Sequence, residues 1–228
     1  IQEGKYKYIP YCNLFRRTEF LNVEGFGRFE GYSNRDSLKY RSVYGLDDVL
    51  TLYRGTIRRV GFSKAWNMFV QLGMTDDSYI MENSENMSYR EFVNSFLPYH
   101  PTDSVEIKTR LILKIDQDDI MWDKLLELDL FNRNKIVGLK NATPAQMLEK
   151  ILSESWTLQP EDKDMIVMYH KFGYEFEGKN KQIDSKMVCI GEDQTYTAMA
   201  KTVGLPVAMA TLLILNGKIT ARGVQLPI

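Results

Sequence analysis

Hydrophobic and polar positions alternate with a period of two through the first third of the chain. Tyr6, Tyr8 and Ile9 precede Pro10, and Leu14, Phe15, Phe20, Leu21 and Val23 lead to a turn at Gly25 and Gly27. A second alternating stretch runs from Arg28 to Ser33, and a third carries Val49, Leu52, Tyr53, Thr56 and Ile57. Period two sends successive side chains to opposite faces, so these stretches predict strands. The period then lengthens. Ser63 is placed as an N-cap, Trp66, Phe69, Val70 and Leu72 recur at helical spacing, and Gly73 supplies the stop.

From about Met74 to Leu158 helical spacing prevails. Ser88-Tyr89-Arg90-Glu91 forms a capping box, and Thr143-Pro144-Ala145-Gln146 forms another, with Pro144 where its missing N–H costs nothing. After Pro160, Met165 to Glu177 and Ile183 to Ile190 predict a hairpin around Gly178-Lys179-Asn180. The tail from Tyr196 is apolar and helical, broken at Gly204 and Pro206, with Pro206 restarting the helix and Gly217 ending it. Strands flanking a helical section predict an α/β (α+β) fold. Residues 1–73 and 159–228 would form a mixed β-sheet domain, and residues 74–158 a helical insert.

Composition narrows the function. The chain has 228 residues, 44% hydrophobic and 26% charged, which is ordinary for a globular protein with a sizeable core. A net charge of −1 provides no global field to recruit nucleic acid or an anionic membrane. The apolar run from Val203 to Leu215 is interrupted by Pro206 and short of the ~20 residues that span a bilayer. Cys12 and Cys189 stand in no metal or redox spacing, which predicts inert thiols in a reducing compartment, the cytoplasm. The start at Ile1 without a methionine predicts a piece of something larger.

Gly25-x-Gly27-x-x-x-Gly31 has glycines like those of a dinucleotide fingerprint, but the residues after it, Tyr32 to Arg35, do not open a helix, so a turn is expected. Asp116-x-Asp118 with Glu127 has partial calcium-loop spacing. It lacks the glycine at the sixth position and reads as helix-capping acids. His100 lies between prolines and His170 within a strand, neither with a local serine or carboxylate partner that would argue for a triad. The arginines carry more. In Tyr53-Arg54-Gly55-Thr56-Ile57-Arg58-Arg59, positions 54, 56 and 58 would share one strand face, so that two guanidiniums flank a hydroxyl. Gly55 would let a ligand approach the backbone. Such a face suits carboxylates, which arginine grips through paired charge-assisted bonds. An exposed, salt-bridged strand accounts for the same pattern.

The segments "GYSNRDS", "YRGTIRRVGF", "EDKDMIVMYHKF" and "YTAMAKTVGLPVAMATLLILNGKITARGV" occur in this order. Together they resemble saccharopine dehydrogenase of the NADP-dependent, L-glutamate-forming kind. The likeness is good over the first third and the last seventy or so residues, and in outline over the helical middle. It implies a three-part enzyme: an N-terminal Rossmann domain for NADP, an α/β substrate-binding and dimerisation domain, and a helical domain inserted in it. This chain resembles the last two parts, so NADP would belong to the intact protein and not to this chain alone.

The resemblance implies the reversible interconversion of saccharopine with glutamate and 2-aminoadipate 6-semialdehyde in lysine metabolism. It implies substrate binding by Arg35, Thr56, Ile57 (through its backbone) and Arg58, with Asn34, Asp36 and Ser37 aiming Arg35. It also implies a homodimer. Ser33 stands where the family usually has proline, and 193–197 replace a more usual glycine-containing approach to the last helix. Two alternatives stay open: a carboxyspermidine-type reductase of related fold, and a non-catalytic dimerisation module.

Overall fold

The computed structural model describes residues 1–34 and 36–226. In chain order the elements are α1 (Tyr11–Leu14), β1 (Thr18–Val23), β2 (Gly27–Ser33), α2 (Tyr40–Val43), β3 (Gly55–Arg59), α3 (Phe62–Leu72), α4 (Tyr89–Asn94), α5 (Val105–Leu113), α6 (Ile120–Glu127), α7 (Pro144–Trp156), β4 (Met165–Phe176), β5 (Lys179–Ile190) and α8 (Ala198–Leu215). The fold is mixed α/β. The chain divides into two compact units, Ile1–Ser37 with Leu50–Thr157 and Leu38–Val49 with Leu158–Ile228.

In the first unit β1, β2 and β3 form an antiparallel sheet in that order. Gly25 and Gly27, with φ of 79° and 87°, turn the chain between β1 and β2, in a region that side chains rarely enter. These glycines belong to a hairpin with no helix directly behind it. Two expected strands are corrected. Residues 6–9 form none, and the chain enters α1 directly after Pro10. β3 starts at Gly55 and not near Val49, because the backbone before it is engaged elsewhere. Leu50 accepts from Gly4 N at 2.8 Å and Leu52 donates to Ile1 O at 3.1 Å.

The core of this unit lies among the helices. Phe69 of α3, Tyr89 and Phe92 of α4, Leu125 of α6 and Met147 and Ile151 of α7 are all buried in one cluster. Each such side chain contributes about 1.5–3 kcal/mol by leaving water. Both expected capping boxes are present, at Ser88 with Glu91 and at Thr143 with Gln146, and Pro144 opens α7. The acid that caps α6 is Asp119, which accepts from Met121 N at 2.8 Å, and not the Asp116 or Asp118 of the partial calcium spacing. α3 ends as expected at Gly73, whose φ is 84°.

In the second unit β4 and β5 pair antiparallel over their whole length. Their connection is tighter than expected, two residues, Glu177 and Gly178, with φ of 53° and 70°. A two-residue turn with both φ positive matches the twist of the strands it joins, so Lys179–Gln182 extend the ladder instead of looping out. α8 runs unbroken through Gly204 and Pro206, a second correction to the sequence reading. Proline removes its own amide from the ladder and crowds the carbonyl four residues earlier, but the turns on either side keep their bonds and carry the helix through. The helix has 18 residues with a mean hydropathy of 1.8, so its length and composition alone are compatible with crossing a membrane, contrary to the expectation of an interrupted run. Gly217, with φ of 68°, ends it, as Lys218 N reaches back to Leu213 O at 2.8 Å.

Candidate functional site

The register of the three-stranded sheet sets which side chains meet. Thr56 stands opposite Tyr32, and Arg58 opposite Glu30. Directly opposed residues share a face, so Thr56, Arg58, Glu30 and Tyr32 lie on one side, and Ile57 opposite Gly31 on the other. The ladder continues one step past Ser33, where Asn34 N donates to Arg54 O at 2.8 Å. Asn34, Asp36 and Ser37 therefore leave the sheet at the end where Gly55 and Thr56 enter it. Each of the three makes interactions within the chain. Arg35 lies outside the described residues. Arg54 lies one residue before β3, at this last bond of the ladder.

Glu30 and Arg58 do not pair, although they are cross-strand neighbours. Glu30 is only 4% exposed, and its Oε1 accepts from Ser63 N at 2.6 Å, in the first turn of α3. The N-cap of that helix is Gly61, which has no side chain to offer and whose φ of 102° only glycine reaches easily. Glu30 therefore does for α3 what a capping side chain would do, next to the positive end of the helix dipole. Ser63, expected as the N-cap, sits inside the helix and is buried.

Arg58 is left exposed, its guanidinium 5.3 Å from the centroid of the Phe62 ring, with Nη1 donating to Ile57 O at 3.1 Å. Among the described residues no carboxylate pairs with it. Phe62 is itself held in an aromatic stack. Its ring lies 6.3 Å from Tyr32 at 12° and 5.8 Å from Trp66 at 10°. A guanidinium seated on a packed ring at the start of a helix is oriented but keeps its outer hydrogen-bonding edge. The salt-bridged reading of this strand does not hold for Arg58.

Gly55 is needed for a neighbour within the chain. A Cβ there would come within 2.8 Å of Tyr32 O and 2.9 Å of the Tyr53 ring. The Tyr53 ring thus packs over Gly55, at the mouth of the Thr56 face. Partial burial holds its phenol above the ordinary tyrosine value, a hydrogen bond with Ser33 pulls the other way, and the charge of Glu19 adds to the rise. At neutral pH it is a protonated donor. Among the other candidates, His100 Nδ1 lies 3.1 Å from Asp103 N and 3.2 Å from Asp103 Oδ2 in a loop, so it does have a local carboxylate neighbour, and His170 stacks on Phe172 at 6.0 Å.

Glu30, Phe62 and Tyr53 were not singled out by the sequence. Glu30 carried a signal, a charged residue between Phe29 and Tyr32 in an otherwise apolar stretch. The pairing that explains it, with an amide 33 positions further on, exists only in the folded register.

Comparison with known proteins gives the arrangement its context. The family model described as the saccharopine dehydrogenase C-terminal domain matches residues 1–228. The mitochondrial alpha-aminoadipic semialdehyde synthase of Mus musculus is 34% identical over 205 residues, 87% of this chain and 22% of that protein. Saccharopine dehydrogenase [NADP(+), L-glutamate-forming] of Saccharomyces cerevisiae is 32% identical over 238 residues, 99% of this chain and 52% of that protein. The solved structure of apo histidine-tagged saccharopine dehydrogenase (L-Glu forming) from Saccharomyces cerevisiae superposes with a TM-score of 0.82 at 28% identity. It covers 98% of this chain and 51% of that one. The chain thus spans about half the length of its yeast relative and about a fifth of the mouse one. It belongs to the saccharopine dehydrogenase C-terminal domain family.

Proposed function

We propose that this chain is the substrate-binding half of an NADP-dependent, L-glutamate-forming saccharopine dehydrogenase, an enzyme of lysine metabolism. The reaction interconverts saccharopine with glutamate and 2-aminoadipate 6-semialdehyde. The observation that carries the proposal is Arg58. Its guanidinium is exposed on a rigid strand, pairs with no carboxylate among the described residues, and shares its face with Thr56. A substrate bearing several carboxylates supplies the missing partner, and a strand-borne arginine is a more precise clamp than a loop-borne one. Thr56 adds a hydroxyl, Ile57 its backbone, and Arg35, with Asn34, Asp36 and Ser37, joins them on the family likeness.

The nicotinamide coenzyme does not fit the glycines present. Gly27 and Gly31 lie in β2 of a hairpin, with no helix N-terminus behind them to take a pyrophosphate. We therefore assign NADP to the part of the longer protein that this chain does not span, and derive no step through it. In that protein residues 1–73 and 159–228 would form the α/β domain and residues 74–158 the helical insert. Assembly as a homodimer and a cytoplasmic location complete the proposal, the latter supported by two free thiols, Cys12 and Cys189.

The test is kinetic and uses the longer protein. Arg58→Ala should raise KM for saccharopine by roughly ten- to a hundredfold, the loss of one charge-assisted pair, while KM for NADP stays within about twofold. Equal changes in both constants, or no change, would overturn the assignment.

A further inference from the structure

One cleft of the first unit lies apart from the Thr56 and Arg58 face. It has a volume of about 380 Å³, and Tyr11, Trp66, Trp156, Glu149, Ser153 and Thr157 are among the residues that line it. On α7 the lining positions 145, 148, 149, 152, 153 and 156 follow the spacing that keeps side chains on one helix face. The volume falls at the lower end of the roughly 300–1,000 Å³ typical of small-molecule sites.

The chemistry of the walls is one-sided. The Trp66 and Trp156 rings lie 6.2 Å apart at 37°, and Trp156 and Tyr11 are about half exposed. Aromatic faces carry negative quadrupole potential. Ser153 Oγ donates to Glu149 O at 2.7 Å, so this hydroxyl has used its single proton and serves a ligand as an acceptor. The Glu149 carboxylate has no cation paired with it among the described residues, and no lysine or arginine lines the cleft. Indole faces, an accepting hydroxyl and an unmatched carboxylate all favour the same ligand, a positively charged donor with an apolar body. We propose that this cleft binds a small alkylammonium compound, its cation held between the two indoles and the Glu149 carboxylate. The proposal does not depend on the saccharopine reading of the sheet face.

The test uses tryptophan fluorescence of the full chain, titrated with n-butylammonium chloride at constant ionic strength and, separately, with the neutral n-pentanol. Trp122 is buried in the helical core, so a ligand-dependent change reports on Trp66 and Trp156. The ammonium should produce a saturable change that the alcohol does not. Glu149→Gln should weaken it about fivefold, and Trp156→Leu, which keeps an apolar wall without the ring potential, about tenfold. Trp156→Phe, checked for native circular dichroism alongside the others, should retain binding. Absence of saturation, an equal response to the alcohol, or unchanged binding in both Glu149→Gln and Trp156→Leu would overturn the proposal.

Discussion

Glu30 had two possible partners, and magnitudes decide between them. An ion pair with exposed Arg58 would stabilise by about 0–1 kcal/mol, whereas a charged acceptor on a buried amide is worth about 1.5–3 kcal/mol. Ser63 N would otherwise be left unmet in a buried turn, so the helix takes the carboxylate and Arg58 keeps its open edge. Glu30→Ala should therefore lower stability by about 2 kcal/mol in urea unfolding, and Glu30→Gln, which keeps a neutral acceptor, by about half that. A loss below about 0.5 kcal/mol for the alanine variant would mean that α3 is capped some other way. A second carboxylate offers a pH handle. Arg90 donates through both Nη atoms to Glu106, and that bond holds the Glu106 carboxyl down to about 2, from an ordinary 4.5. The sign follows from the depressed value. The stabilisation is complete above 4.5 and fades as pH falls through the folded value near 2. The gap in Tm between wild type and Glu106→Gln should be widest above about pH 5 and narrow steadily toward pH 2. A gap independent of pH would show that the pair contributes nothing through charge.

At the scale of elements, the signals that could be read were those that close within a few residues. Ser88 with Glu91, Thr143 with Gln146, and the glycines at 73 and 217 were legible because donor and acceptor lie within one helical turn or one helix end. What was not legible depended on distant partners. Ser63 looked like a cap although the real acceptor is on β2, and Val49 to Tyr53 looked like a strand although Leu50 and Leu52 bond to the backbone of Gly4 and Ile1 at the N-terminus. The site was legible to the same extent: Thr56 and Arg58 could be placed on one face, but not the diversion of Glu30 that leaves Arg58 open. The hairpin turn was misread by length, since Glu177 is a poor residue for a φ of 53° and its strain is invisible in a local pattern. Asparagine tolerates that region better, and Asn-Gly is the preferred sequence for such a turn. Glu177→Asn should raise stability by about 0.5–1 kcal/mol, read as a higher urea midpoint with an unchanged slope. A lower midpoint would show that the side chain of Glu177 matters more than its backbone.

At the scale of the molecule, the second unit has more apolar surface than its own elements cover. Register places Met168 opposite Met187 and Phe172 opposite Ile183, and these four share one face of the hairpin with Phe176. All five are exposed, from 37% for Met187 to 55% for Phe172. α8 adds Leu205, Val207, Met209 and Leu212, each more than half exposed. An isolated two-stranded hairpin is marginal in water, and an apolar face of this kind is an invitation to pairing. The homodimer proposed above answers both problems, because a second copy brings the same face and the same need. It predicts a light-scattering mass of about twice 26.5 kDa at micromolar concentration. Phe172→Lys, which sets a charge in the middle of that face, should shift the equilibrium to monomer without altering the far-ultraviolet circular dichroism. A wild-type chain that stays monomeric at high concentration would remove the second copy as the cover. If it then sedimented with neutral phospholipid vesicles, the 18-residue apolar helix α8 would be the cause, and lipid rather than protein would be its partner.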